Sequence, residues 1–170
     1  MKLNKHIIII GFMGTGKTTV GAQLAAKLKC SFFDTDKEIV AVEKMCIDKL
    51  FAEKGEEYFR ATETKVLSKI INIPPSIIAT GGGIILSPIN QEIISNQHVV
   101  LLEASPDEIY SRVVNSTERP LIKGNVKEKI DTLLMQRTEL YKALADTSIL
   151  TNNKSIEEII DEIITYLHLY

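Results

Sequence analysis

Two parts of this sequence have the residue types and spacing to hold and move a phosphate. The first is GFMGTGKTT, Gly11 to Thr19, a G-x-x-x-x-G-K-T pattern directly behind four consecutive isoleucines. Gly11, Gly14 and Gly16 let the backbone curl so that successive N–H groups face inward on a phosphate. A helix beginning near Lys17 adds its positive dipole end at the same point. Lys17 is a point charge for the β- and γ-phosphates, and the Thr18 hydroxyl is placed to ligate Mg²⁺. Gly14, Thr15, Gly16, Lys17, Thr18 and Thr19 are therefore the candidate nucleotide-binding residues, with ATP and Mg²⁺ as the expected cofactors.

The second part is scattered along the chain and reads as an acceptor side. Asp34-Thr35-Asp36 stands where a strand ends, and ligands of open α/β sheets bind outside the carboxyl ends of strands. One carboxylate can order the water shell of a metal while the other takes the proton of an attacking hydroxyl. A plain helix cap at Asp36 is the competing reading. Arg60, Arg119 and Arg137 each carry a guanidinium fork that matches a carboxylate or phosphate, and Glu63 sits one helical turn from Arg60, where it can orient it. Gly81-Gly82-Gly83 is costly in conformational entropy, so the missing side chains must serve something: a tight turn or the close approach of a small ligand.

These residues need a scaffold, and the apolar pattern supplies one. Short β-branched runs at His6–Ile10, Ser31–Asp34, Ile77–Thr80, His98–Glu103 and Thr147–Leu150 alternate with amphipathic stretches. That alternation predicts an α/β fold with a parallel five-stranded sheet covered by helices on both faces. Ser87-Pro88 and Ser105-Pro106 read as helix starts, with Glu108 completing a capping box on Ser105 and Glu158 another on Ser155. The stripe Ile156, Ile159, Ile160, Ile163, Ile164, Leu167 is expected to pack on the sheet rather than on a partner. Residues 36–72 are too long for one crossover helix and predict two or three. Residues 115–125, NSTERPLIKGN, are polar and aperiodic and predict a long loop.

Composition narrows the partners. The 170 residues are 45% hydrophobic and 25% charged with a net charge of −2, a balance that suits one domain and offers no polyanion-binding surface. No nucleic acid is expected. No run of about 18 apolar residues occurs, so no membrane span is expected either. Cys30 and Cys46 form neither a disulfide framework nor a C-x-x-C pair, which suits a reduced, cytoplasmic setting, and nothing in the pattern calls for more than a monomer. The three histidines show no metal-ligand spacing.

Taken in order, GFMGTGKTT, FFDTD, FAEKGEEYFRATE, ATGGG, ERPLI and QRTELYKALAD resemble the shikimate kinase family over nearly the whole chain. The resemblance implies a P-loop kinase fold over residues 1–170, with a substrate-binding helical insert at about 36–72 and a mobile lid at about 115–125. It implies transfer of the γ-phosphate of ATP to the 3-hydroxyl of shikimate, a step toward chorismate and the aromatic amino acids. Carried over by position, Asp36 is the candidate base at the acceptor hydroxyl. Asp34 joins Thr18 on the magnesium side, reaching the ion through water. Arg60 and Arg137 hold the substrate carboxylate, Gly82 contacts the substrate, and Arg119 closes over the ATP phosphates. The catalytic set is thus Asp36, Lys17 and Arg119. Ile122 stands where the family more often has leucine, and Thr151–Lys154, the expected neighbour of adenine, matches only loosely. A kinase for another hydroxy acid such as gluconate, and a non-catalytic protein that binds nucleotide or shikimate, are the alternatives.

Overall fold

A computed structural model describes residues 3–114 and 125–168. Its five strands are β1 (Ile7–Ile10), β2 (Phe32–Asp34), β3 (Ile77–Ala79), β4 (His98–Glu103) and β5 (Thr147–Leu150). They form one parallel sheet in the order β2-β3-β1-β4-β5. The expected strands are all present, three of them trimmed by one residue at an end.

The four isoleucines of β1 explain why a continuous apolar run was needed. Successive strand residues face opposite sides, and here both sides are covered. Ile7 and Ile9 pack with Val20, Leu24 and Ala25 of α1 (Lys17–Leu28) and with Ile159, Ile160, Ile163 and Ile164 of α7 (Ile156–Tyr166). Ile8 and Ile10 pack on the other side against α3 (Ile47–Ile70), α4 (Pro88–Ser95) and α6 (Val126–Leu144). All four are completely buried. The apolar stripe of α7 is therefore used within the chain's own core.

β1 sends its connection through α1 toward β2, and β4 sends its own through α5 (Pro106–Val114) and α6 toward β5 at the opposite edge. Connections that diverge in this way open a crevice at the carboxyl ends of the strands. The glycine-rich loop, the D-T-D segment and the glycine triplet all stand at that edge.

Residues 36–72 hold α2 (Thr35–Glu43) and α3, and α3 is itself broken at Gly55, whose φ of 81° and ψ of 171° are outside helical values. A Cβ at Gly55 would meet nothing, so the glycine is there for its left-handed backbone and not for space. Phe51 and Phe59 close the break with ring centroids 4.5 Å apart. The expected lid at 115–125 and its Arg119 lie, Asn125 excepted, outside the described residues. Asn125 caps α6 by accepting from Glu128 N.

Two of the three predicted helix starts form as written. Ser87 Oγ accepts from Asn90 N beside Pro88, and Ser155 and Glu158 form a complete reciprocal capping box. The Ser105–Glu108 box is half made. Ser105 Oγ accepts from Glu108 N, but the Glu108 carboxylate turns to Arg112 Nε at 2.9 Å, and Ser105 N donates to Asn152 Oδ1 instead. A guanidinium one turn along the helix outcompetes a backbone N–H for the carboxylate. Loss of the intact box is measurable: Ser155→Ala should cost about 1 kcal/mol, lowering the thermal midpoint by roughly 2–4 °C for a chain of this size. An unchanged midpoint in a melting curve would mean that the α7 start holds without its cap.

Candidate active site

Gly14 and Gly16 adopt φ of 78° and 91°, values that L side chains rarely take, and the loop wraps around the start of α1. Inside it the Phe12 carbonyl accepts from both Thr15 Oγ1 at 2.9 Å and Lys17 Nζ at 2.7 Å. Lys17 is only 7% exposed, so its charge is held within the cradle. Thr19 lies one residue past Thr18 on the exposed side of α1.

Thr18 Oγ1 donates to Asp34 Oδ2 at 2.6 Å. The other Asp34 oxygen accepts from Asp36 N and Lys37 N at 3.0 and 3.3 Å, which makes Asp34, not Asp36, the cap of α2. The cap reading entertained for Asp36 belongs to its neighbour. The hydroxyl and the carboxylate present hard oxygen donors side by side. Mg²⁺ is commonly held by one or two protein oxygens, its remaining positions filled by water and phosphate, so this donor pair fits it. No cluster of three or more His, Cys, Asp or Glu suited to a metal occurs among the described residues.

The D-T-D segment meets the glycine triplet across the crevice. Gly81 N donates to Thr35 Oγ1 at 2.9 Å. A Cβ added to Gly81 would stand 2.5 Å from Asp36 Oδ1 and 3.1 Å from Glu63 Oε1. A Cβ added to Gly83 would stand 2.5 Å from both terminal nitrogens of Arg60. At Gly82 the built Cβ finds ordinary contacts, 3.5 Å to Met13 N and 3.6 Å to Tyr141 Oη. The outer two glycines thus make room for the site's own charged groups.

Arg60 is gripped on both sides. Its Nη1 donates to Glu63 Oε2 at 2.9 Å, and Nε and Nη2 reach Glu56 Oε1 at 3.4 and 3.3 Å. Arg137 donates to the Gly82 carbonyl at 3.5 Å and lies 5.9 Å above the Phe12 ring. Tyr141 Oη donates to the same carbonyl. Burial pushes the Tyr141 phenol up to about 12, so it remains a donor at neutral pH. The structure therefore brings Asp36, Arg60, Gly82 and Arg137 around one glycine turn, with Lys17, Thr18 and Asp34 beside it. Arg119 falls outside the described residues.

Four residues joined to this site escaped the sequence reading or were underweighted in it. Thr35 and Tyr141 hold the triplet. Arg112 donates to the Gly14 carbonyl at 3.1 Å and to Thr151 Oγ1 at 3.2 Å, bracing the phosphate loop against the loop after β5. Its i,i+4 spacing from Glu108 was the only local signal. Glu63 was legible as a partner of Arg60, but not as a neighbour of Asp36. Its carboxyl is fully buried, and Oε1 has no hydrogen-bond partner among the described residues.

Burial pushes Glu63 from its ordinary 4.5 up to about 7; Arg60 pulls it down, Asp36 pushes it further up, and Arg137 pulls down. Between these values the folded chain holds more protons at this group than the unfolded chain does. Its contribution to stability is therefore complete below 4.5 and is lost as pH rises through about 7. The stability of the wild-type chain relative to Glu63→Gln should fall between pH 5 and pH 8 in calorimetric melts. A difference that stays constant over that range would rule out the shift.

Comparison with known proteins agrees with this geometry. The family model described as shikimate kinase matches residues 13–168. A shikimate kinase of Dehalococcoides mccartyi is 40% identical over 100% of this chain and 97% of its own length. One from Caldanaerobacter subterraneus is 38% identical over 94% of each. The structure of the Acinetobacter baumannii shikimate kinase in complex with shikimate superposes with a TM-score of 0.92 at 33% identity, covering 96% of this chain and 92% of that one. The Aquifex aeolicus shikimate kinase gives 0.84 at 33% identity, with 96% of each chain covered. On a family match that runs from the phosphate loop to the last helix, this chain belongs to the shikimate kinase family.

Proposed function

We infer that the chain transfers the γ-phosphoryl group of ATP to the 3-hydroxyl of shikimate, giving shikimate 3-phosphate and ADP on the route to chorismate and the aromatic amino acids. The observation that carries this reading is the contact between donor and acceptor halves. The glycine turn that gathers Asp36, Arg60 and Arg137 lies against the phosphate loop: a Cβ added to Gly82 would stand 3.5 Å from Met13 N and 3.6 Å from the Gly11 carbonyl. A substrate seated on that turn has its hydroxyl beside the end of a nucleotide held at Gly14–Thr19.

In this reading Arg60 and Arg137 pair with the carboxylate of the acceptor, and their forks fix its direction as well as its place. Gly82 offers its N–H and no side chain. Asp36 accepts the proton of the attacking hydroxyl. Lys17 leaves the Phe12 carbonyl for the β- and γ-phosphates, where its charge offsets the charge on the transferring group. Thr18, with Asp34 through water, would hold Mg²⁺, which supplies neutralising charge along the phosphates. Arg119, outside the described residues, is assigned to the phosphoryl oxygens on the strength of the ERPLI motif alone.

The same reading places the enzyme in the cytoplasm as a monomer. Supporting it, Cys30 and Cys46 are both free thiols, and the α7 stripe that a partner would want is buried on the sheet. No helix among the described residues is long and apolar enough to cross a membrane.

The deciding experiment is a coupled ADP-release assay with Mg²⁺ and two acceptors. Turnover on shikimate and none on gluconate is expected. The reverse preference would reassign the substrate, and binding of both ligands without ADP release would make this a non-catalytic protein. Gly83→Ala separates folding from acceptor binding. The atoms nearest the new methyl group are the flexible end of Arg60, so the chain should stay folded while Arg60 is displaced. A rise in shikimate KM of about 10-fold or more, as expected for a disturbed charged hydrogen bond, should accompany an unchanged ATP KM. Wild-type kinetics in this variant would remove Arg60 from the acceptor site.

A further inference from the structure

Backbone angles do not explain the three glycines of the triplet. None of Gly81, Gly82 and Gly83 has the left-handed φ that would demand glycine. Gly81 and Gly83 are small because Asp36, Glu63 and Arg60 occupy the space a Cβ would take. Three consecutive glycines have more freedom to lose than any other three residues, and a turn that must present one N–H in one direction needs that freedom removed from outside.

Two hydroxyls contribute to this, beside Arg137, which reaches the Gly82 carbonyl at 3.5 Å. Thr35 is completely buried, lies between Asp34 and Asp36, and accepts from Gly81 N at 2.9 Å. Tyr141, 3% exposed on α6, donates to the Gly82 carbonyl. Within the turn the Gly81 carbonyl accepts from Ile84 N at 3.2 Å. With those three backbone groups fixed, the planar peptide joining Gly81 to Gly82 is fixed too, and with it the direction of the Gly82 N–H. Thr35 has a second effect, since it stands in the first turn of α2 with Asp36. The bond to Gly81 therefore sets the distance between the candidate base and the turn that seats its substrate.

We propose that Thr35 and Tyr141 are positioning residues that clamp the glycine turn at two successive residues, holding the Gly82 N–H and the Asp36 carboxylate in register for the acceptor hydroxyl. The proposal rests on the acceptor-site reading above and adds to it two residues that hold the turn itself.

Thr35→Val keeps the shape and removes the acceptor, leaving the Gly81 N–H buried without a partner. Thr35→Ser restores the oxygen. Thr35→Val and Tyr141→Phe should each raise the shikimate KM and lower kcat/KM for shikimate by about 10-fold or more, with the ATP KM within about twofold of wild type. Thr35→Ser should recover most of the loss. Amide exchange at Gly81, followed by NMR without substrate, should quicken in Thr35→Val and return toward wild type in Thr35→Ser. Wild-type acceptor kinetics in both clamp variants, a parallel loss of ATP affinity, or a serine variant as impaired as valine would each overturn the proposal. Should the wild-type chain show no turnover on shikimate, the functional reading fails by itself, and Gly81 exchange still decides whether Thr35 holds the turn. A Thr35→Val protein too unstable to assay leaves Tyr141→Phe, which must show the same split between shikimate and ATP.

Discussion

The carboxylate of Asp34 is where the two halves of the site are joined. One oxygen takes the Thr18 hydroxyl from the phosphate loop, and the other takes the N–H groups of Asp36 and Lys37 at the start of α2. An aspartate at the end of a strand, 8% exposed, thus fixes the relative place of the cradle and the candidate base. Because Asp34 ends β2 and the loop follows β1, with β3 between them, the spacing is also the spacing of three hydrogen-bonded strands. Strand ends therefore set how far the candidate base stands from the phosphate loop, a fixed spacing of the kind that in-line transfer requires.

The sheet can bear this duty because it is buried on both sides. A strand such as β1, with neighbours on both edges and helices on both faces, has almost no freedom to shift without exposing isoleucine to water or voiding the core. Fully burying one such side chain is worth roughly 1.5–3 kcal/mol. Those gains come from residues that do no chemistry. They support a carboxyl edge populated by buried charge and by a carboxyl oxygen with no partner among the described residues, each unfavourable locally.

What the sequence reveals of this arrangement follows from the range over which its signals act. Strands, caps and the phosphate loop are written in runs of four to nine residues, and they appear where the pattern puts them. The Ser105–Glu108 box failed because Arg112 competes for Glu108 from one turn away, a choice between two local rules. The clamp on the glycine turn is different. Thr35 reaches Gly81 across 46 residues, Tyr141 reaches Gly82 across 59, and Arg112 reaches Gly14 across 98. No periodicity records such pairs, because they exist only once the strands are ordered β2-β3-β1-β4. The triplet itself was legible as a place without side chains. That the missing space belongs at two of three positions to Asp36, Glu63 and Arg60 emerges only from coordinates.

In the proposed acceptor site, Glu63 sets how much positive charge Arg60 presents. Arg60 is flanked by Glu56 and Glu63, and two ionised carboxylates would more than neutralise one guanidinium. Glu56 is exposed, and water screens its pull on Arg60. Glu63 is buried, where an ionised oxygen would act at nearly full strength, but the same burial pushes its carboxyl up to about 7. Near neutral pH this group therefore carries a charge only part of the time, while its geometry keeps Arg60 aimed at Gly83. The helix keeps the orienting contact and yields part of the countercharge. In the proposed acceptor site, an anion arriving between Arg60 and Arg137 would meet guanidinium groups whose charge is not already cancelled from within, and its own carboxylate would favour the protonated form of Glu63 still further. Binding of the acceptor and retention of that proton are thermodynamically linked, because each lowers the repulsion the other must overcome.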